Sequence, residues 1–236
     1  MLNQQSGALA NPWYWIQSGP GEAAENMAFD EAWLEFCALD GRPGLRFYGW
    51  QQPAATFGIS QHYATISRAT PLRPLVRRPT GGGLVAHTAD WTYSLVLPPP
   101  HPWYALPAIE SYRRIHEWLQ AAWAQLGIAT ELAPMARKEI PGQCFFGAEK
   151  YDLLWLGRKI AGAAQRRTRS GLLTQGSVQS QPPGIQRADW EKAMLEVGTL
   201  KFGAQWTPFR PAAGFQERVI QLAREKYAQP AYNERR

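Results

Sequence analysis

The chain has 236 residues but only two cysteines, Cys37 and Cys144. Two thiols make no disulfide framework, which excludes the small cross-linked secreted folds. No uninterrupted apolar run approaches the ~20 residues needed to span a bilayer. Residues 1–17 also lack the basic and apolar regions of a secretory signal. The expected location is therefore the cytoplasm, with reduced thiols and no membrane partner. Histidine is scarce, at four residues, and neither HExxH nor CxxC occurs. No structural or catalytic metal site is expected. No Gly-Lys-Ser/Thr closes a glycine-rich stretch, so a phosphate P-loop is not expected. The G-x-S-x-G elbow of a serine hydrolase is missing as well.

What is present fits a folded globular chain. Hydrophobic residues reach 45% and charged residues 19%, which excludes a disordered polyelectrolyte. Eleven tryptophans can fill a sizeable core or line apolar pockets. Lys and Arg exceed Asp and Glu by 25 to 19, a net +6. That charge favours acidic partners without choosing among nucleic acid, anionic lipid and acidic protein.

Residues 1–12 read as a polar, irregular lead-in. A helix is expected from Gly21 to Leu39, with Gly41 and Pro43 just beyond it. Its apolar stripe of Met27, Leu34 and Ala38 is interrupted by Asp30 and Glu31. Short β-type runs follow at 45–48, 55–57, 75–78 and 91–97, the last stopped by three prolines. The clearest helix runs from 108 to 126, where Ile109, Tyr112, Ile115, Leu119, Trp123 and Leu126 recur at three- and four-residue steps. A hairpin is expected over 151–162, a strand over 171–178, and helices near 188–197 and 213–227. Helices and strands mix without βαβ alternation. The fold class is therefore α+β, a largely antiparallel sheet with flanking helices. With no internal repeat or linker, residues 1–236 are expected to form a single domain.

The most informative local string is Arg77-Arg78-Pro79-Thr80-Gly81-Gly82-Gly83. Three glycines permit a tight turn with N–H groups facing an anion or carbonyl, and two arginines add positive charge. A plain glycine-rich hairpin turn satisfies the local pattern equally well. Cys144, in a Pro-Gly-Gln-Cys-Phe-Phe loop, is a nucleophile if a cation lowers its pKa, or else a small buried hydrophobe. Cys37, inside the first helix, reads as packing. Lys159 sits beside small residues that permit close approach of a substrate. Arg166, Arg167 and Arg169 form a basic cluster.

In combination the motifs resemble the lipoate–protein ligase/octanoyltransferase family. The resemblance rests on Asn26 to Ala32, Arg77 to His87, Thr92 to Val96, Gly157 to Arg167, and Leu173 to Ser177. These span roughly 26–178, and their order is more specific than any one of them. The resemblance implies a catalytic domain like those of class II aminoacyl-tRNA synthetases and biotin protein ligases. It also implies an acyl-binding site around Arg78, Thr80, Gly81, Gly82, Gly83, His87, Ala161 and Gly162.

Within the family, ligases activate a free acid with ATP, whereas cysteine-using octanoyltransferases of the Gram-positive type carry a Cys-Phe fifteen residues before the lysine of Gly-Arg-Lys. Cys144 stands fifteen residues before Lys159 here. The resemblance thus implies Cys144 as nucleophile and Lys159 as its partner. The octanoyl donor is then octanoyl-acyl carrier protein, and the acceptor a lysine of a lipoyl domain (glycine cleavage H protein or 2-oxoacid dehydrogenase E2). One thioester replaces another, so neither ATP nor another cofactor is expected. The chain ends about 60 residues after the last motif, so no accessory C-terminal domain is expected. The alternatives are an ATP-dependent lipoate–protein ligase and an amidotransferase between lipoyl-domain proteins. A basic nucleic-acid-binding module is the non-enzyme alternative, and no nucleic-acid partner is expected.

Overall fold

A computed structural model describes residues 11–138 and 147–235. The first two fifths contain β1 (Pro12–Gly21), α1 (Ala23–Asp40), β2 (Gly44–Trp50), β3 (Ala54–Phe57), α2 (Tyr63–Ala69), β4 (Leu75–Arg77), β5 (Val85–His87) and β6 (Trp91–Leu97). Then come α3 (Ala108–Gln125), β7 (Glu131–Leu132), β8 (Arg137–Lys138), β9 (Gly147–Ala148), β10 (Leu153–Trp155), β11 (Arg158–Thr168) and β12 (Gly171–Val178). The chain closes with α4 (Arg187–Phe202), β13 (Gln205–Pro208), α5 (Phe215–Leu222) and α6 (Pro230–Asn233). Among the described residues, no helix is long and apolar enough to cross a membrane.

An eight-stranded sheet has the order β13-β1-β2-β6-β12-β11-β10-β7. Strand β1 pairs parallel with β13 and β2. The remaining pairs are antiparallel, as expected of the fold class. Alternation along β12 assigns the two faces. Leu172 packs with α3 and α4, in a core holding Trp118, Trp123 and Trp190. Its neighbour Leu173 packs on the other face with Met27, Trp33 and Cys37 of α1 and with α5.

The helix expected over 108–126 is α3. Its stripe buries Ile115, Leu119 and Trp123 as expected, but Ile109 is exposed, because the first turn overhangs the core. The hairpin over 151–162 is β10–β11, with β11 running on to Thr168. Strand β1 was not foreseen, although Trp13-Tyr14-Trp15-Ile16 is a run of β-type residues. Short elements α2, β13 and α6 were also missed, and α4 extends beyond the expected 188–197.

A second, three-stranded sheet has the order β4-β3-β5. This settles the geometry of the glycine-rich segment. Strands β4 and β5 both pair with β3, so the segment between them crosses the end of β3 and is no hairpin turn. Gly58 just after β3 lets it pass, since a Cβ there would lie 2.0 Å from the Gly82 carbonyl oxygen.

Candidate functional site

A cavity between the two sheets and α1 is lined by Met27, Tyr48, Trp50, Thr56, Arg78, Val85, His87 and Thr92, and by Lys159, Gly162 and Gln175 from β11 and β12. It brings together four residues expected in the site, Arg78, His87, Lys159 and Gly162. Ala161 instead faces the aromatic core. Cys144 lies outside the described residues. The strands on either side of it, β8 and β9, pair antiparallel with Lys138 opposite Gly147.

The glycine-rich loop is braced from within. Arg78 Nη2 donates to the carbonyls of Gly81 at 2.5 Å and Gly83 at 2.7 Å. Thr80 is buried and donates to Gln175 Oε1 at 2.8 Å. Gln175 Nε2 in turn donates to Asp30 Oδ2 at 2.7 Å. Arg77, expected to add charge beside the loop, points elsewhere. Adjacent residues at a strand end face opposite sides, and Arg77 donates to the carbonyls of Ile59, Gln61 and Asn233. It fastens α6 to β4.

Asp30 is the hub beneath the cavity. Its carboxylate accepts from Arg46 Nη1 at 2.7 Å, Ser94 Oγ at 2.7 Å and Tyr48 OH at 3.2 Å, besides Gln175. The Arg46 guanidinium lies 4.0 Å from the ring centroids of both Phe29 and Tyr48. A buried ion pair needs such extra donors and ring faces to offset its desolvation. Burial and the Asp30 carboxylate push the Tyr48 phenol well above its ordinary pKa, so it stays a donor.

Lys159 is held by a second carboxylate. Its Nζ lies 2.7 Å from Asp152 Oδ2, and both side chains are buried. Asp152 also accepts from the Glu149 N–H at 2.6 Å and from Tyr112 OH at 2.5 Å. Burial first, then Asp152, raises the Tyr112 pKa well above its ordinary value, so the phenol remains protonated and donates. The Lys159 side chain passes over Gly162, where a Cβ would lie 2.7 Å from its Cε. The small residues after Lys159 therefore make room for the lysine itself.

His87 is the third centre. Its Nδ1 lies 2.9 Å from Asp90 Oδ2 and its Nε2 2.8 Å from Thr56 Oγ1. Trp50 stacks on the imidazole at 3.8 Å between ring centroids. Asp90 Oδ2 also accepts from Thr92 Oγ1 at 2.9 Å and Ser177 Oγ at 2.7 Å. Burial works to raise the Asp90 pKa, but His87 and the two hydroxyls outweigh it and hold the carboxyl below its usual value. Sequence reasoning missed Thr56, Asp90, Asp152 and Tyr112. Asp30 did leave a signal, since it broke the apolar stripe of α1.

Cys37 is fully buried in α1, and burial followed by Asp40 raises its thiol pKa well above the ordinary value. It is packing, as expected. The basic cluster divides. Arg166 reaches the Pro79 carbonyl at 3.4 Å, Arg167 covers the Tyr104 ring at 5.4 Å, and Arg169 is exposed.

Comparison with known proteins now adds to this geometry. The profile of the lipoyl protein ligase A/B catalytic domain matches residues 22–187. The chain belongs to that family. Two members named octanoyltransferase LipM illustrate the similarity. The one from Exiguobacterium sp. is 35% identical over 179 residues, covering 70% of this chain and 65% of its own length. The one from Bacillus subtilis is 34% identical over 179 residues, covering 70% of this chain and 64% of its own length. The match thus spans a little under two thirds of these relatives. Solved members of the family share the fold. A lipoate-protein ligase A bound with ATP superposes with a TM-score of 0.78 at 16% identity, over 94% of this chain and 98% of its own. A bi-partite lipoate protein ligase from Thermoplasma acidophilum superposes with a TM-score of 0.73 at 17% identity, over 94% of this chain and 96% of its own.

Proposed function

We propose that the protein is an octanoyltransferase of lipoate biosynthesis, acting as one catalytic domain in the cytoplasm. The observation that carries this is the 35% identity, over 70% of the chain, to a relative named octanoyltransferase LipM. The donor is octanoyl-acyl carrier protein, and the acceptor is a lipoyl-domain lysine of an H protein or an E2 subunit. Cys144 attacks the donor thioester and Lys159 stands by it as the cation that favours thiolate. The acyl-enzyme is again a thioester, so this exchange is close to isoenergetic and needs no ATP. Aminolysis of the thioester to an amide then drives transfer.

The test is intact mass after incubation with octanoyl-acyl carrier protein, without ATP or magnesium. Wild-type protein gains one octanoyl group and Cys144→Ala gains none. Lys159→Ala moves the pH profile of Cys144 alkylation to higher pH, because loss of a nearby cation disfavours thiolate. The ATP-dependent ligase reading replaces this one if free octanoate or lipoate with ATP modifies a lipoyl domain and the carrier thioester does not. The exposed Arg169 and its neighbours Arg166 and Arg167 favour acidic protein partners by steering. High salt should therefore raise KM for the protein donor more than it lowers kcat.

A further inference from the structure

Forming an amide from a lysine amine releases a proton, and something must take it. Among the described residues lining the cavity, the ionisable groups are Tyr48, Arg78, His87 and Lys159. Tyr48 already donates to Asp30, and Arg78 is a permanent cation that braces the glycine-rich loop. Lys159 makes its ion pair with Asp152. His87 is the remaining group of that set, and a neutral imidazole keeps one ring nitrogen as a lone-pair acceptor.

Its surroundings are built for that task. Asp90 faces Nδ1 at 2.9 Å, and an ionised carboxylate can only accept, so the proton of the neutral ring sits on Nδ1. Nε2 is then a lone pair, and the Thr56 hydroxyl 2.8 Å away donates to it. Trp50 stacks on the ring and donates through its Nε1 to Thr92 at 2.7 Å, which itself donates to Asp90. Ring plane and tautomer are therefore fixed together. The charged groups around this line are Asp90 behind it, Arg78 at 3.5 Å from Thr56, and Lys159 on the same cavity wall.

We propose that His87, held in one tautomer by Asp90, is the proton acceptor for the incoming lysine amine, with the Thr56 hydroxyl as the link. This rests on the acyl-transfer reading above. The neutral amine bonds to the thioester carbonyl carbon, and the C–S bond breaks. The amine proton passes to Thr56 Oγ1 as that hydroxyl passes its own to His87 Nε2. Asp90 pairs with the imidazolium so formed. The same line, reversed, returns the proton to the departing thiolate, leaving thiol, amide and neutral histidine. Asp90 is a positioning residue here, since it touches the ring and never the substrate.

The experiment separates the two half-reactions by rapid quench. One measures acylation by octanoyl-acyl carrier protein, the other transfer from the acyl-enzyme to a lipoyl domain. His87→Gln and Thr56→Val should slow the transfer by roughly 100-fold or more, the usual worth of a general base, and should slow it far more than they slow acylation. Thr56→Ser keeps the hydroxyl and should restore transfer. Nitrogen-15 NMR of labelled histidine should show the His87 proton on Nδ1 in wild-type protein and on Nε2 in Asp90→Asn. Should Asp90→Asn fail to fold, the wild-type spectrum and the Thr56 pair still decide. A wild-type proton on Nε2, or equal slowing of both half-reactions by His87→Gln, overturns the proposal. Absence of any wild-type acyl-enzyme would overturn the acyl-transfer reading, and this proposal with it.

Discussion

Against α3 and α4 the sheet buries rings, among them Trp13, Trp118, Trp123 and Trp190. Of these, Trp118 donates its Nε1 to the Met194 carbonyl, while the Nε1 atoms of Trp13, Trp123 and Trp190 have no partner among the described residues. Against α1 the same sheet buries Asp30, Arg46 and Ser94, and beside them Asp90 and His87, joined by donors and acceptors 2.7 to 3.2 Å apart. Both faces tolerate polar atoms left over from large apolar side chains, Trp33 Nε1 of α1 among them. The second spends burial on charged groups that, as ion pairs, add little net stability over apolar packing. The first face is built to hold the sheet, and the second to hold Gln175, Thr80 and His87 in fixed positions at the cavity.

The largest effects should break this comparison most clearly. On the ring-lined face, Trp118→Ala should cost about 3–5 kcal/mol, because a cavity replaces the indole. On the α1 face, Asp30→Asn should also cost about 3–5 kcal/mol, since it leaves Arg46 buried without its counter-charge. The faces separate in the double variant. Replacing Asp30 and Arg46 together with Leu and Met should recover at least half of that loss, whereas octanoyl transfer should be abolished in both variants. Urea unfolding beside the transfer assay reads both. A double variant no more stable than Asp30→Asn would show that the α1 network is itself a main source of stability.

Acid titration should sharpen the comparison next, since each face has its own window. His101 packs edge-on against Trp13 on the ring-lined face, and burial lowers its pKa to about 4 from an ordinary 6.5. Its Nδ1 accepts the Trp103 N–H at 3.2 Å, which requires the neutral ring. Between pH 6.5 and about 4 the unfolded chain binds this proton and the folded one resists it. Stability should therefore fall as pH drops through that window, by at most about 3.4 kcal/mol at 1.36 kcal/mol per unit. His101→Gln should flatten the decline. Asp90 has the opposite dependence on charge. Its folded pKa is depressed, so its contribution is full above the ordinary Asp value of about 3.9 and is lost only as pH falls through the lower folded value. The stability gap between wild type and Asp90→Asn should be flat above that point and close below it. A gap that already closes at pH 6 would assign the acid sensitivity of the α1 face to another group.

Legibility in the sequence follows the same division. The ring-lined face was readable, since α3 repeats its apolar residues at helical steps and β6, β10 and β12 are β-type runs between turn residues. Strand β1 escaped because it lies between an irregular lead-in and a helix, and its pairing with β2 and β13 is non-local and parallel. On the α1 face the helix and its buried Cys37 were readable, but the polar network only as a break in the pattern, with Asp30 standing where an apolar residue was due. The glycine-rich string, Lys159 and His87 were legible as motifs. Their partners Asp90, Asp152, Thr56 and Tyr112 come from separate elements, and no local spacing announces a contact such as Tyr112 to Asp152.

The smallest expected effect tests the link between the α1 network and the loop. Gln175 is the one described side chain seen to bond both Asp30 and Thr80. Gln175→Leu keeps the approximate volume and removes both bonds, leaving the Thr80 hydroxyl and one Asp30 oxygen each a partner short. The loss should be about 1–2 kcal/mol, the usual price of a buried polar atom left unsatisfied. The functional signature should be more specific than the stability loss. Thr80 anchors the segment running through Gly81 to Gly83, so amide exchange there should quicken while exchange in α3 stays unchanged. KM for the octanoyl donor should rise several-fold with little change in the alkylation rate of Cys144, because a loosened loop affects acyl binding more than thiol ionisation. Gln175→Glu should be worse than Gln175→Leu, since it sets a second carboxylate against Asp30. Equal exchange rates in the loop of wild type and Gln175→Leu would mean that Arg78, with the Ile59 N–H on the Thr80 carbonyl, is enough to hold the glycines. The α1 network would then serve the packing of its own helix rather than the site.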